Sequence, residues 1–120
     1  MKIFLDSCVI IEKIKERILL NQKDEYWINA TVYAEVGYGF LRIGKSLDDW
    51  EIWLKINKVN LVDIGLQTAR IYTKLKILLR QSPIDEKDLL IASSCVEGRG
   101  KLWTLNRKHF ERVPGLELVD

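Results

Sequence analysis

Residues 1–11, MKIFLDSCVII, place one carboxylate, Asp6, between two runs of apolar side chains. The run at residues 3–5 is too short for a helix and is typical of a strand buried on both faces, as in a parallel sheet. Asp6 then lies at the carboxyl end of that strand. Burial removes hydration from a carboxylate, so Asp6 requires helix-terminal N–H groups, a cation or a metal ion as its partner.

The rest of the chain alternates between helical and strand patterns. Ser7 can cap a first helix, because Ile10, Ile11, Ile14 and Ile18 recur at helical spacing. Later patterns predict helices from a cap at residue 29 or 31 to about 43, from residue 46 onward, and over 66–80 and 85–96. Strands are predicted at residues 26–28, 59–64, 101–105 and 116–119.

This alternation predicts an α/β fold. We expect a three-layer sandwich whose mostly parallel central sheet of about five strands carries helices on both faces. The length of 120 residues is that of a single domain, residues 1–120. Right-handed crossovers in such a sheet put ligands at the carboxyl ends of the strands.

Composition restricts the function classes. With 48% hydrophobic and 30% charged residues, the chain matches an ordinary soluble globular protein. It has no apolar run near the ~20 residues that span a bilayer. The amino terminus lacks the pattern of a secretory signal, so we expect a cytoplasmic protein with no membrane contact. The net charge of +2 is too small to indicate nucleic-acid binding.

The chain's sulfur and imidazole groups do not favour a zinc site or a disulfide bond. Cys8 and Cys95 are far apart, belong to no CxxC motif and have aliphatic neighbours, which predicts buried free thiols. His109 is the only histidine, and two isolated cysteines lack the paired spacing of structural zinc sites.

Three acids stand beside core-like residues: Asp6, Glu35 within ATVYAEVGYGF, and Asp88 before LLIA. Each has an alternative explanation. Asp6 can be a helix N-cap, and Asp88 can be a carboxylate that interacts with the helix dipole. Glu35 taken alone is better explained as solvent-facing, since Val32, Val36, Gly39 and Ile43 form the better core face of its helix. Gly37 and Gly39 in that helix suggest close backbone approach.

The predicted topology allows these acids to lie close together. Asp6 ends a strand, Asp88 begins the helix that leads into the strand at 101–105, and Thr104 and Asn106 terminate that strand. Oxygen-bearing side chains can therefore meet at one edge of the sheet. Oxygen ligands without sulfur or imidazole favour Mg²⁺ or Mn²⁺.

Four segments resemble a known family: LDSCVII, TVYAEVGYG, DLLIASS and LWTLNRKHFERVPGL. Together they resemble the PIN domain and, within it, the VapC-type ribonuclease toxins of toxin-antitoxin pairs. The resemblance spans nearly the whole chain, and the closing T-x-N-x-x-x-F-x-R-V-P-G-L pattern is its most specific part. It implies a PIN-like fold. The family's acidic metal-binding positions fall on Asp6, Glu35 and Asp88, and its Thr-x-Asp/Asn element falls on Thr104 and Asn106.

The resemblance implies a metal-dependent endoribonuclease. Asp6, Glu35 and Asp88 would hold Mg²⁺ or Mn²⁺, and Thr104 and Asn106 would orient water or phosphate. Many relatives have aspartate where this chain has Asn106, which argues against a tightly held second ion. The RNA backbone would be held by Arg42, Arg107 and Lys108.

Two other functions stay open. One is a catalytically weak or inactive PIN-like module that binds RNA or protein, which Asn106 favours. The other is a phosphoacceptor domain of the receiver type, whose acidic pair at the end of the first strand this chain lacks.

The resemblance also implies a homodimer and a VapB-like antitoxin that lies in a groove and obstructs the metal centre. Aromatic and aliphatic side chains are the expected groove or dimer residues, although they can equally be core. They are Tyr33, Phe40, Leu41, Trp50 and Trp53.

Overall fold

Parallel strands and helices alternate along the chain in the computed structural model, which describes residues 1–120. The strands are β1 (Lys2–Leu5), β2 (Glu25–Asn29), β3 (Val59–Val62), β4 (Lys101–Trp103) and β5 (Glu117–Leu118). The helices are α1 (Ser7–Ile14), α2 (Ala30–Arg42), α3 (Leu47–Ile56), α4 (Leu66–Leu78) and α5 (Glu86–Glu97), and a short 3₁₀ helix covers Arg107–His109.

The five strands form one fully parallel sheet in the order β3-β2-β1-β4-β5. β1 lies at the centre, where Phe4 is opposite Trp27 of β2 and Leu102 of β4. The connections on the two sides of β1 run in opposite directions, so right-handed crossovers place helices on both faces. The predicted α/β sandwich is therefore confirmed.

The opening stretch folds as predicted, with two local differences. Ile3, Phe4 and Leu5 are 4%, 3% and 1% exposed, so the central strand is buried on both faces. The N-cap of α1 is Asp6 rather than Ser7. α1 also ends at Ile14, before the apolar periodicity does, because the chain turns away at Glu16, whose φ is +59°.

The predicted inward face of α2 is wrong in part. Val32 and Val36 are buried as expected, but Gly39 is exposed and Ile43 is 71% exposed. The buried stripe instead includes Gly37, because α3 packs there. A Cβ at Gly37 would lie 3.1 Å from Leu47 Cδ2, whereas at Gly39 it would meet nothing within 4 Å. Close approach is thus confirmed at Gly37 and wrong at Gly39.

Trp50 joins α3 to α2 and belongs to the core. It is 0% exposed, and its indole N–H donates to the Tyr33 carbonyl at 3.1 Å. The rings of Tyr33, Phe40 and Trp53 surround it with centroid distances of 6.1, 5.3 and 5.7 Å. Because it has no free surface, the expectation that Trp50 contacts a partner is wrong; it stabilises the α2–α3 pair instead.

Both cysteines are free thiols, as predicted. Cys95 is buried, and burial raises its pKa to about 12. Cys8 is only half-buried, since it lies beside Asp6 at the end of the sheet. None of the helices is long and apolar enough to cross a membrane.

Replacing Gly98 by alanine is expected to destabilise the fold. Gly98 caps the carboxyl end of α5, and a Cβ there would lie 2.6 Å from Cζ of Phe4, which is 3% exposed. We expect Gly98→Ala to lower the free energy of unfolding by about 1–3 kcal/mol, as for other overpacked cores.

The control is Gly39→Ala, which meets no atom within 4 Å. It should raise the free energy of unfolding by up to about 1 kcal/mol through helix propensity. Urea unfolding followed by circular dichroism measures both variants. A Gly98→Ala protein as stable as wild type would show that Phe4 and α5 are less tightly packed than described.

Candidate active site

Asp6 occupies the point where the ends of β1 and β4 meet the start of α1. Its N–H donates to the Trp103 carbonyl at 3.0 Å. Its Oδ1 accepts from the Ser7 N–H at 2.8 Å, and its Oδ2 accepts from the Thr104 hydroxyl at 2.8 Å. The Cys8 thiol donates to the same Oδ2 at 3.4 Å. Asp6 is 4% exposed, and the helix-terminal N–H and a hydroxyl supply the compensation that its burial requires.

Thr104 and Asn106 follow β4 directly and extend this edge. Thr104 is 6% exposed, and its hydroxyl oxygen also accepts the N–H of Asn106 at 3.0 Å. The threonine therefore connects Asp6 to the backbone of Asn106, whose own side chain is exposed. The sequence prediction that these two residues end the strand beside Asp6 is confirmed.

Asp88 lies in the first turn of α5 and is 8% exposed. The pKa of its carboxyl group is raised, first by burial and then by the nearby negative charge of Asp6. His109 opposes this rise, with its Nδ1 3.1 Å from Asp88 Oδ2. Asp6 therefore lies near enough for its charge to act on Asp88, which agrees with the topology that places both acids at one edge of the sheet.

Glu35 reaches this edge from α2. Its Oε2 lies 2.8 Å from the ammonium nitrogen of Lys87 and accepts from the Ser7 hydroxyl at 3.5 Å. Its Oε1 is buried and has no hydrogen-bond partner. The side chain is 27% exposed, so the solvent-facing interpretation of Glu35 is wrong. Packing of α2 near the start of α5 decides this, which the periodicity of α2 alone could not indicate.

Asn29 holds those two helices in place. It is 2% exposed and caps α2, with Oδ1 accepting the Val32 N–H at 3.0 Å. Its Nδ2 donates across to α5, to the Leu90 carbonyl at 3.2 Å and the Ser94 hydroxyl at 3.0 Å. The sequence indicated only the cap. The structure adds the bridge that sets the position of Glu35 relative to α5.

The residue types fit a hard divalent cation, although the side chains are not gathered into one ligand shell. No group of three His, Cys, Asp or Glu side chains lies close enough to hold an ion together. The available donors are carboxylate oxygens, which Mg²⁺ and Mn²⁺ prefer. The unpartnered Oε1 of Glu35 and the mutual repulsion of Asp6 and Asp88 are both features that a cation would relieve.

The three basic residues proposed for RNA lie in different places. Lys108 lines a cavity of about 190 Å³ next to Asp88. Arg107 is exposed, and its guanidinium donates to the Val119 carbonyl. Arg42 lies two helical turns beyond Glu35, and its guanidinium carbon is 5.8 Å from the Tyr38 ring centroid. Lys108 is therefore the basic residue that shares a cavity with one of the acids, whereas Arg107 is held at Val119 and Arg42 lies farther along α2.

Four residues that contact the acids, Ser7, Cys8, Lys87 and His109, were not among the predicted site residues. Ser7, Cys8 and Lys87 are chain neighbours of Asp6 and Asp88, so their proximity could have been inferred. Lys87 nevertheless binds Glu35, an acid of another helix. His109 was considered only as a zinc ligand, and nothing in the sequence pairs it with Asp88.

An apolar groove runs between α1 and α2 and ends beside Glu35. Its volume is about 320 Å³, and it is lined by Ile11, Ile14, Lys15, Glu35, Val36, Gly39, Phe40 and Ile43. A second cavity continues from it past Ile14 and Phe40 to Trp53 of α3. Of the expected partner residues, Phe40 and Trp53 line these cavities, whereas Leu41 is 53% exposed and Tyr33 donates its hydroxyl to Glu51 at 2.7 Å.

Known proteins share this fold and sequence pattern. Residues 3–116 match the family model of the PIN domain. The chain is 32% identical over 123 residues to ribonuclease VapC1 of Methanocaldococcus jannaschii, covering 99% of this chain and 88% of that protein. It is 28% identical over 129 residues to ribonuclease VapC of Rickettsia bellii, covering 99% and 96%.

Solved structures also share this fold. A chain in the structure of VapBC2 from Rickettsia felis, bound to a DNA fragment from the promoter, superposes with a TM-score of 0.84 at 26% identity, covering 99% of this chain and 98% of that one. A chain of VapBC-1 from nontypeable Haemophilus influenzae gives 0.80 at 27% identity, with 100% and 98% covered. The protein described here belongs to the PIN domain family.

Removing the Thr104 hydroxyl is expected to destabilise the site. In Thr104→Val the shape is kept, but Asp6 Oδ2 loses the hydroxyl donor and keeps only the Cys8 thiol, and the Asn106 N–H loses its acceptor. We expect the free energy of unfolding to fall by about 1–3 kcal/mol. Thr104→Ser keeps the hydroxyl and is the control, with a smaller loss. Equal losses in the two variants, measured by urea unfolding, would show that the hydrogen bonds contribute little.

Proposed function

We propose that this chain, acting as one domain, is the endoribonuclease toxin of a VapBC-type toxin-antitoxin pair and requires Mg²⁺ or Mn²⁺. The observations that support the proposal are that the charge of Asp6 acts on Asp88 and that Glu35 accepts from Ser7, the residue after Asp6, at the end of the central strand of a PIN-domain sheet. The relatives named ribonuclease VapC support RNA as the substrate class. We place the activity in the cytoplasm.

The residues of the site take distinct roles under this proposal. Asp6, Asp88 and Glu35 would hold the cation, whose chemistry is to activate water and to offset charge on the scissile phosphate. Thr104 keeps Asp6 in place by hydrogen bonding to Oδ2. His109 contacts Oδ2 of Asp88, which orients that carboxylate.

Substrate contacts come from the 3₁₀ helix and its neighbours. Lys108 lines the cavity beside Asp88, and its ammonium is placed to attract a backbone phosphate. Arg107 adds positive charge on the same short helix, and Asn106 precedes it with an exposed amide. Arg42 is too far along α2 to join them without a longer RNA.

The alternative is a PIN-like module that binds RNA or protein without cutting it. The ion pair between Lys87 and Glu35 favours this alternative, because it leaves one of the three acids engaged. Asn106 in place of an acid favours it as well.

Cleavage of structured RNA separates the two functions. We expect the purified chain to cut RNA with Mg²⁺ or Mn²⁺ and to stop with EDTA. Asp6→Asn and Asp88→Asn should each lower the rate by at least about 10²-fold, because each removes a negative charge from the proposed metal centre. A Lys74→Gln variant on α4 is the control and should keep the wild-type rate. Equal cutting by wild type and both acid variants would identify a contaminating nuclease and end the proposal.

We also propose that a VapB-like antitoxin fills the apolar groove between α1 and α2. The similar structures are VapBC complexes, and this groove is apolar for most of its length and ends at Glu35. A segment lying in it would reach the acids at one end, which accounts for inhibition. The homodimer implied by the resemblance stays a prediction.

A charged side chain in the groove is expected to weaken binding of the antitoxin. Ile43 is 71% exposed and lines the groove, so Ile43→Asp should leave the fold intact and weaken co-purification with the antitoxin by at least about 10-fold. The control is Leu66→Asp on α4, at a position 81% exposed and outside the groove. Equal recovery of the antitoxin by the two variants would place its binding site elsewhere.

A further inference from the structure

Lys87 forms the only ion pair between a lysine and one of the three acids, and it comes from a different helix than the acid. Its ammonium nitrogen lies 2.8 Å from Glu35 Oε2, so a cation already stands beside this carboxylate. Lys87 is on α5, immediately before Asp88, and Glu35 is on α2. The ion pair therefore joins the two helices whose acids form the proposed metal centre.

This ion pair differs from an ordinary surface pair. Lys76 and Glu86 form such a pair at 3.1 Å, with side chains 58% and 74% exposed. In the Lys87–Glu35 pair the acid is only 27% exposed, and its second oxygen is buried without a partner. A carboxylate with one paired and one unpaired buried oxygen still lacks part of the positive charge or hydrogen-bond donors that its burial requires.

The pair also explains why the acids are not gathered into one ligand shell. Asp6 and Asp88 are coupled electrostatically, while Glu35 is held by a group that cannot ligate a metal. A protonated amine at Oε2 and a divalent ion at Oε1 would lie within a few ångströms of each other in a partly buried site, so their repulsion opposes simultaneous binding to this carboxylate.

We propose that the Lys87 ammonium is an internal counter-ion of Glu35 in the metal-free protein, and that it is displaced from Glu35 when a divalent cation binds. The inference rests on the proposed metal centre. It predicts that Lys87 weakens metal binding, since part of the binding free energy is spent on breaking the ion pair. The exchange is one of non-covalent cations and needs no other reactant.

The first test measures Mn²⁺ affinity of the metal-stripped full chain by the electron paramagnetic resonance signal of the free ion. Lys87→Gln should bind Mn²⁺ about fivefold more tightly than wild type, because it removes the competing charge. Lys87→Arg keeps the charge and should bind as wild type does. Lys76→Gln removes an equal charge from the exposed pair with Glu86 and should change the affinity by less than about twofold.

The second test observes the ammonium itself. Lysines are ¹³C-dimethylated, which keeps their charge, and the Lys87 resonance is assigned from its loss in Lys87→Arg. Glu35→Gln should shift this resonance in metal-free protein, because the ion pair is broken. Saturating Mg²⁺ should shift it in the same direction in wild type, without moving the Lys76 resonance.

The outcomes distinguish this inference from the proposed function. If wild type binds Mn²⁺ and Lys87→Gln binds it no more tightly than Lys76→Gln does, the counter-ion role is wrong and the metal centre stands. A Lys87 resonance unchanged by saturating Mg²⁺ would overturn it too. If neither wild type nor Lys87→Gln binds Mn²⁺, the metal centre fails and the displacement fails with it.

Discussion

The hydrogen bond from the Thr104 hydroxyl to Asp6 joins two residues 98 positions apart in the chain. It connects the ends of β1 and β4 at the edge of the sheet where the candidate site lies. Asp6 ends the central strand and caps α1, while Thr104 follows the neighbouring strand. A parallel sheet brings both strand ends to the same edge, so a single hydroxyl can hold the carboxylate and the backbone of Asn106 together. The other acids are placed relative to this fixed point.

The desolvation of each buried acid is offset by a different partner. Asp6 has an N–H group and a hydroxyl, Asp88 has the imidazole of His109, and Glu35 has the ammonium of Lys87. The pKa of Asp88 stays raised, because burial and the charge of Asp6 outweigh the contribution of His109. A site with this much negative charge and one orphaned carboxylate oxygen is one that a cation stabilises. Folding thus places these carboxylates in partly buried positions at some cost in stability.

Sequence determined the parts of this protein that depend on strand order and residue type. The buried strand after Met1, the α/β alternation, the acid at the strand end and the free thiols all follow from local patterns that the fold confirms. The contact between Asp6 and Thr104 followed too, because neighbouring parallel strands end at the same edge. The functional assignment of those residues came from the resemblance to a family, not from their spacing.

Only the tertiary structure decided the rest. Which face of α2 is buried depends on α3, whose Trp50 packs where Gly37 leaves room, so Gly39 and Ile43 face an open groove instead of the core. Glu35 is drawn toward α5 by Lys87 and by the bridge from Asn29. The contacts from Glu35 and Asn29 to α5 join residues about 50 to 65 positions apart, and helical periodicity carries no information about which element will cover a face.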